Sequence, residues 1–150
     1  LGYANANDAT HQTATSDEGE GAFRSMQNAL KKANISPELV DYINVHGTAT
    51  GNNDMSEGNA MKRVFSENIP VFSSTKSYTG HCLAAAGSIE AVLSLLSIKY
   101  GALYPNLHFS EPIEDVLTPN QEFSENNKIN IVMSNSFGFG GNCSTLIFGK

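Results

Sequence analysis

Basic residues are scarce in this 150-residue chain: nine Lys and Arg stand against fifteen Asp and Glu, a formal charge of −6. That balance excludes a surface built to neutralise a phosphate backbone, so no nucleic-acid role follows. Cysteine is scarcer still. Cys82 and Cys143 are too few and too far apart for a metal-ligand spacing, which implies no metal site, and both read as free thiols of a reducing compartment. The first thirty residues hold no apolar run of the signal-peptide kind, and Asn, Asp, Thr and Glu dominate them, so the chain reads as cytoplasmic. Long uninterrupted apolar runs are missing too: residues 83–100 are broken by Ser88, Glu90, Ser94, Ser97 and Lys99, against a membrane span of roughly twenty mostly apolar residues. What is present is a hydrophobic content of 40%, enough for one globular domain or a large part of a bigger one. The opening Leu1-Gly2-Tyr3 reads as the tail of a strand, so the expectation is a single domain over residues 1–150, truncated from a larger subunit.

Residues 16–34 set Ala22, Phe23, Met26, Ala29, Leu30 and Ala33 at helical spacing, with Lys31 and Lys32 in the last turn where they suit the dipole. After Ser36-Pro37, Tyr42-Ile43-Asn44-Val45 reads as a buried strand ending at His46-Gly47. Asp54 with Glu57 forms a capping pair opening a helix through Phe65. Val71-Phe72-Ser73-Ser74 reads as a short strand, residues 76–80 as a loop, and residues 83–100 as a core helix, apolar nearly all round. Pro105, Pro112 and Pro119 mark residues 105–127 as an irregular excursion. Strands over 129–133 and 145–148 are joined across Gly138, Gly140 and Gly141, where the backbone needs freedom. Alternating strands and helices predict an α/β architecture with helices on both faces of a sheet.

Three polar, glycine-rich segments follow the expected strands: residues 46–51, 74–81 and 135–142. Ligands gather at strand ends in open α/β sheets, and convergence there would unite His46, His81, the Lys76 ammonium, two threonine hydroxyls and a turn of backbone amides. Such a set suits a developing oxyanion. Each element alone is weaker: a strand-end histidine is more often a structural hydrogen-bonder, Lys76 a solvated loop charge, Glu57 a capping carboxylate, and Thr48 and Thr50 turn residues. The glycines at 138, 140 and 141 have the wrong spacing for a dinucleotide loop, and a strand rather than a helix follows them. Cys82 beside His81 does not make a cysteine–histidine hydrolase, because adjacent side chains diverge at a helix start.

Taken together, Val45-His46-Gly47-Thr48-Ala49-Thr50, then Ser73-Ser74-Thr75-Lys76 with Thr79-Gly80-His81, then Asn135-Ser136-Phe137-Gly138-Phe139-Gly140-Gly141 resemble the three C-terminal signatures of the β-ketoacyl-acyl-carrier-protein synthases. The order matches, and Asp8-Ala9-Thr10-His11, Asp54 with Glu57, and Pro105-Asn106 extend the similarity over nearly the whole chain. One departure stands out: Asn142-Cys143 follows Gly141 where the family usually has Thr-Asn.

The resemblance implies the C-terminal half of a thiolase-like fold, a mixed sheet with helices on both faces, in a subunit usually paired as a homodimer. It implies a decarboxylative condensation of malonyl carrier protein with an acyl-enzyme in fatty-acid or polyketide synthesis. The family's nucleophilic cysteine lies in the other, N-terminal half, so the chain alone is expected to be inactive. By resemblance His46 and His81 stabilise the enolate, Lys76 supports them through a charged network with Glu57 and Asp54, and Thr48 and Thr50 bind the pantetheine arm. Phe139 is the gating aromatic whose amide completes an oxyanion hole, with Gly138 and Gly140 permitting its movement. The implied partners are an acyl carrier protein and the N-terminal half, with no cofactor beyond substrates carried on phosphopantetheine. The histidine pair resembles the elongating, second type rather than the initiating type. Lys62-Arg63 is a weak candidate for carrier docking, more simply a helix's solvated face. A competing expectation is a non-catalytic partner subunit that shapes an acyl tunnel, which a Gln, Gly or Ser in place of the upstream cysteine would indicate.

Overall fold

The structure, a computed structural model, describes residues 1–150. Its sheet is built around two strands buried on both faces. β2 (Tyr42–Asn44) is wholly buried, and β4 (Ile131–Gly138) buries Val132, Met133, Ser134, Asn135 and Phe137. Strands covered twice can hold polar side chains only if each finds a partner, a condition that governs the site below. With β1 (Gly2–Asn7), β3 (Val71–Ser73) and β5 (Asn142–Gly149) the order is β1-β5-β4-β2-β3. β1, β5 and β4 run antiparallel, and β2 lies parallel to both β4 and β3.

One face is covered by α1 (Glu20–Ala33) and α2 (Gly51–Phe65), which bury Ala22, Met26, Leu30, Ala60, Met61 and Phe65 over Ile43, Met133 and Ile147. The other carries α4 (Ala86–Tyr100), whose Ile98 joins Tyr42, Ile129 and Val132. The mixed sheet with helices on both faces is the architecture the alternation predicts, and the 105–127 excursion holds no element beyond a single bridge between Leu103 and Ser124.

Four local expectations need correction. α2 begins at Gly51, a turn before Asp54, with Thr50 as an unbonded N-cap; Glu57 therefore sits inside the helix with its carboxylate free for other partners. Residues 76–79 are not a loop but a single helical turn, α3 (Lys76–Thr79), ended by Gly80 at φ 70°. The last two strands run much further than 129–133 and 145–148, because the ladder between β4 and β5 is continuous from Ile131↔Gly149 to Gly138↔Asn142. Finally, α4 is a core helix on one side only. Glu90, Ser94, Ser97 and Ile98 face the sheet while Val92, Leu95 and Tyr100 are about half exposed. Residues 83–100 are long and apolar enough by composition to cross a membrane. The α-helical part is only 15 residues, about 22 Å against a hydrocarbon core of about 30 Å.

The turn between β4 and β5 is held against the segment after β1. Asp8 N donates to Gly141 O at 2.7 Å, and Gly140 N to Gln12 O at 2.7 Å. Gly141 has φ +76°, and a Cβ there would stand 1.9 Å from the Asp8 carbonyl oxygen, whereas a Cβ on Gly51 meets nothing within 4 Å. Gly141→Ala is accordingly expected to lower stability by about 3 kcal/mol or more, and Gly51→Ala to change it by less than about 1 kcal/mol. Urea denaturation of both variants followed by circular dichroism checks the contrast.

Candidate active site

The strand ends of β2, β3 and β4 open on one side, and the loops leaving them carry the predicted site. His46 lies two residues beyond the end of β2 and is buried. Its backbone is clamped by Glu57: the His46 amide donates to Oε1 and the Gly47 amide to Oε2, both at 3.0 Å. Asn135 of β4 adds a third donor, Nδ2 to Oε1 at 3.1 Å. Burial pushes the Glu57 carboxyl up, and the two amides, Asn135 and the Lys76 charge pull it back. The net displacement is upward, so the Glu57 anion depends on these donors.

Lys76 opens α3 and is almost fully buried. Its Nζ lies 2.5 Å from the His46 carbonyl oxygen and 3.3 Å from His46 Nδ1, and it forms an ion pair with Glu90 of α4. Glu90 in turn accepts from Ser136 Oγ at 3.4 Å. Burial raises the Glu90 carboxyl, with the Lys76 hydrogen bond and charge opposing it. The charged network expected for Lys76 therefore exists with a different first partner. Glu57 is spent on backbone amides, and Glu90, set apart in the sequence only as an interruption of an apolar helix, carries the countercharge.

The imidazoles of His46 and His81 approach edge-on, centroids 5.5 Å apart at 83°. Their tautomers follow from their neighbours. An ammonium only donates, so the Lys76 Nζ contact leaves His46 Nδ1 as acceptor and puts the proton on Nε2. Leu83 N donates to His81 Nδ1 at 3.2 Å, which in the neutral ring leaves Nε2–H as the donor there too. Burial, then the Lys76 charge, then His81 press His46 down to about 3, so it is neutral across the physiological range. The result is a neutral N–H donor at His46, with the Lys76 ammonium on its other ring nitrogen and the His81 ring edge-on beside it, an arrangement suited to an oxygen anion as it forms.

The other expected residues sit around this centre. Thr48 and Thr50, their hydroxyls 3.0 Å apart, lie at the rim. A cavity of about 690 Å³ runs from His81 and Lys76 past Thr48 and Asp54 to apolar walls at Met61, Phe72 and Val116. Asp54 is pushed up by burial against a hydrogen bond from Asn53. Phe139 projects from the β4–β5 turn with 78% of its surface exposed, Gly138 has open space around it and Gly140 takes φ +77°. The aromatic that touches His46 is Phe137, at 5.5 Å, a residue quoted in the motif without a role. Asp8, also in the resemblance, is a structural anchor: burial raises its carboxyl, but hydrogen bonds from Ser16 at 2.6 Å and Thr10 at 2.7 Å outweigh that and lower it. Neither cysteine is an activated nucleophile. Cys143 is buried, and desolvation with the charges of Asp8 and Glu57 pushes its thiol up to about 12; Cys82 Sγ donates to the Thr79 carbonyl.

Among known families, a model described as the β-ketoacyl synthase C-terminal domain matches residues 1–110. A 3-oxoacyl-[acyl-carrier-protein] synthase 2 of Staphylococcus aureus is 44% identical over 156 residues, covering all of this chain and 37% of that protein. A ketosynthase structure described as a type II polyketide acyl-carrier protein in complex with its ketosynthase superposes with a TM-score of 0.91 at 37% identity, covering 99% of this chain and 37% of the other. A ketosynthase in complex with its chain length factor from Xenorhabdus doucetiae gives 0.89 at 40% identity over 99% of this chain and 38% of the other. The chain thus spans little more than a third of the length of these relatives.

The site's electrostatics carry a direct test. The midpoint of the His46 ring, followed by NMR, is expected near 3, and Lys76→Met is expected to raise it while leaving it below the ordinary histidine value, since burial is the larger cause. A midpoint already at the ordinary value in the unaltered protein would contradict the neutral donor assigned to His46.

Proposed function

The chain belongs to the β-ketoacyl synthase family, and from that premise we propose that it supplies the decarboxylating, enolate-binding part of a 3-oxoacyl-[acyl-carrier-protein] synthase of the elongating type. The observation that carries this is the neutral His46 donor held beside Lys76 with the His81 ring edge-on against it. An acyl group is first passed from its carrier thioester to a cysteine thiolate, expelling the carrier thiolate, which takes a proton from solvent. Malonyl carrier protein then loses carbon dioxide, the electrons of the broken C–C bond forming an enolate whose oxygen accepts from His46 and His81 Nε2–H. The enolate carbon attacks the acyl-enzyme carbonyl, and collapse of the tetrahedral adduct gives the 3-oxoacyl carrier and restores the thiolate. Neutral rings suit this role better than imidazolium, which would overstabilise the enolate and slow its attack.

The thiolate comes from outside these 150 residues, since Cys143 is held as a buried thiol and Cys82 is turned to a carbonyl. Thr48 and Thr50 hold the pantetheine arm at the cavity rim, Asp54 shapes that rim, and Phe139 with Gly138 and Gly140 forms a gate whose backbone amide joins the oxyanion hole. An acyl carrier protein is the partner in solution, an N-terminal half covers the half-exposed apolar side of α4, and the complete subunit pairs as a cytoplasmic homodimer. No metal or resident cofactor takes part. Retention of His46, Lys76 and His81 speaks against a purely tunnel-shaping partner subunit.

In the complete subunit, His46→Ala and His81→Ala are each expected to slow malonyl decarboxylation by at least about a hundredfold while acyl loading of the cysteine largely survives. Carbon dioxide release and acyl-enzyme formation, measured separately, check this, and unchanged release in both variants overturns the assignment. The 150-residue chain by itself is expected to yield no 3-oxoacyl product from acyl and malonyl carrier proteins, as mass spectrometry of the mixture will register, because two histidines cannot replace a covalent carrier.

A further inference from the structure

On the side away from the cavity, the buried polar groups of the site continue into a line of hydroxyls and amides to which the reaction above gives no part. Ser25 Oγ on α1 lies 3.0 Å from Thr145 Oγ1 on β5. Thr145 Oγ1 donates to Asn135 Oδ1 at 2.9 Å, and Asn135 Nδ2 donates to Glu57 Oε1 at 3.1 Å, with Met26 Sδ at 3.4 Å as its other acceptor. Ser25, Asn135 and Thr145 have no exposed surface at all.

The direction of this line is forced. An ionised Glu57 only accepts, so Asn135 must turn its NH2 toward the carboxylate and its carbonyl oxygen toward β5. That oxygen needs a donor, which the Thr145 hydroxyl supplies. Its single proton committed, Thr145 can only accept at Ser25, whose hydroxyl is shared with the Ala22 carbonyl at 2.9 Å. Thr145 and Asn135 therefore donate in the same direction, toward the carboxylate that holds the His46 and Gly47 amides, while the one Ser25 proton is divided between Thr145 and the Ala22 carbonyl.

We propose that Thr145 is a positioning residue for His46: its hydroxyl orients the Asn135 amide so that Glu57 is held as the anion that clamps the His46–Gly47 backbone at the end of β2. The inference rests on the enolate-binding role given to His46 above. The groups facing Glu57 leave this task to neutral donors. Lys76 on α3 favours the anion but is paired with Glu90 of α4; Cys143 on β5 is a neutral thiol; Asp54, on the same helix, is a further acid; and the His46 ring is uncharged. Asp8 acts on the far side of Cys143. Removing one donor upstream thus moves Glu57 toward its protonated form, and a protonated carboxyl holds the two amides less firmly.

The test uses the complete synthase subunit with Thr145→Val, close in shape but without the hydroxyl, Thr145→Ser, which keeps it, and Ser25→Ala, which removes the donor one step further back. The carboxyl infrared band of Glu57, identified by its loss in Glu57→Gln, is titrated in each. Thr145→Val is expected to raise the proton affinity of Glu57 by about three- to tenfold, Ser25→Ala by less, and Thr145→Ser to restore it. The acid limb of the malonyl decarboxylation profile should move to higher pH by the same factor. An unmoved infrared midpoint in both Thr145→Val and Ser25→Ala overturns the proposal, as does a loss in rate that is equal at every pH and is not recovered by Thr145→Ser. Should Thr145→Val fail to fold, Ser25→Ala and Thr145→Ser carry the same comparison. If the unaltered subunit releases no carbon dioxide, the assigned function fails, while the infrared titration still decides what Thr145 does.

Discussion

A buried ammonium cannot stand without a countercharge, and the pairing of Lys76 with Glu90 sets the terms for everything around it. Glu90 must come from the helix that lies on the open face of the sheet, so α4 turns a polar stripe of Glu90, Ser94 and Ser97 inward where a helix packed on a sheet ordinarily turns its apolar one. Ser94 satisfies itself on the Glu90 carbonyl at 2.8 Å. Ser97 Oγ is the one buried side-chain polar atom without a partner. The apolar side chains that this inversion displaces, Val92, Leu95 and Tyr100, are left on the outside. The half-exposed apolar surface of α4 is therefore a consequence of where the lysine's partner has to be.

The same pair determines what the histidines can be. With Lys76 kept charged, its Nζ fixes His46 Nδ1 as an acceptor and adds repulsion to the desolvation that already disfavours imidazolium. His81, on the turn after α3 with its Nδ1 occupied by the Leu83 amide, meets the His46 ring edge-on without being buried. Positive charge is held at His46 Nδ1 and kept off the His46 ring, which leaves its Nε2–H as a neutral donor.

Much of this was legible from residues alone, for identifiable reasons. α1 and the strand at Tyr42 announce themselves because periodicity and burial coincide in them, and the first two motif segments lie beyond strand ends as expected, whereas the third begins inside β4 and reaches its turn only after Gly138. Partner identity was not legible. Glu57 lies three residues after Asp54, a spacing that reads as a capping pair, yet helix α2 starts at Gly51 and the carboxylate serves the backbone of the preceding loop. Glu90 lies fourteen positions from Lys76, at no spacing that marks the two as partners; only the packing of α4 across β4 brings them together. The one signal that could have found it was a lone carboxylate in an otherwise apolar helix, where a charge is costly unless paired. Phe137 was hidden differently: two aromatics two residues apart in a glycine-rich stretch cannot be told apart until the length of β4 is known. The strand continues through Gly138, which turns Phe137 inward onto His46 and leaves Phe139 on the exposed turn.

That difference in strand length also separates rigid from adaptable parts of the site. His46, Lys76, Glu57 and Glu90 hang from buried strand ends and helices and are tied to one another by hydrogen bonds, which fixes the His46 end of the site before any ligand arrives. Phe139 stands outside this frame on a turn that contains Gly138 and Gly140, while the turn's far end is held by Asp8 at Gly141 and by Gln12 at Gly140. A side chain so placed can swing without disturbing the imidazoles, because β4 is anchored behind it by Asn135 and Phe137. Phe137, inside β4 and packed on His46, and Phe139, beyond the strand's end on the turn, are thus held differently by the place where the β4 ladder stops.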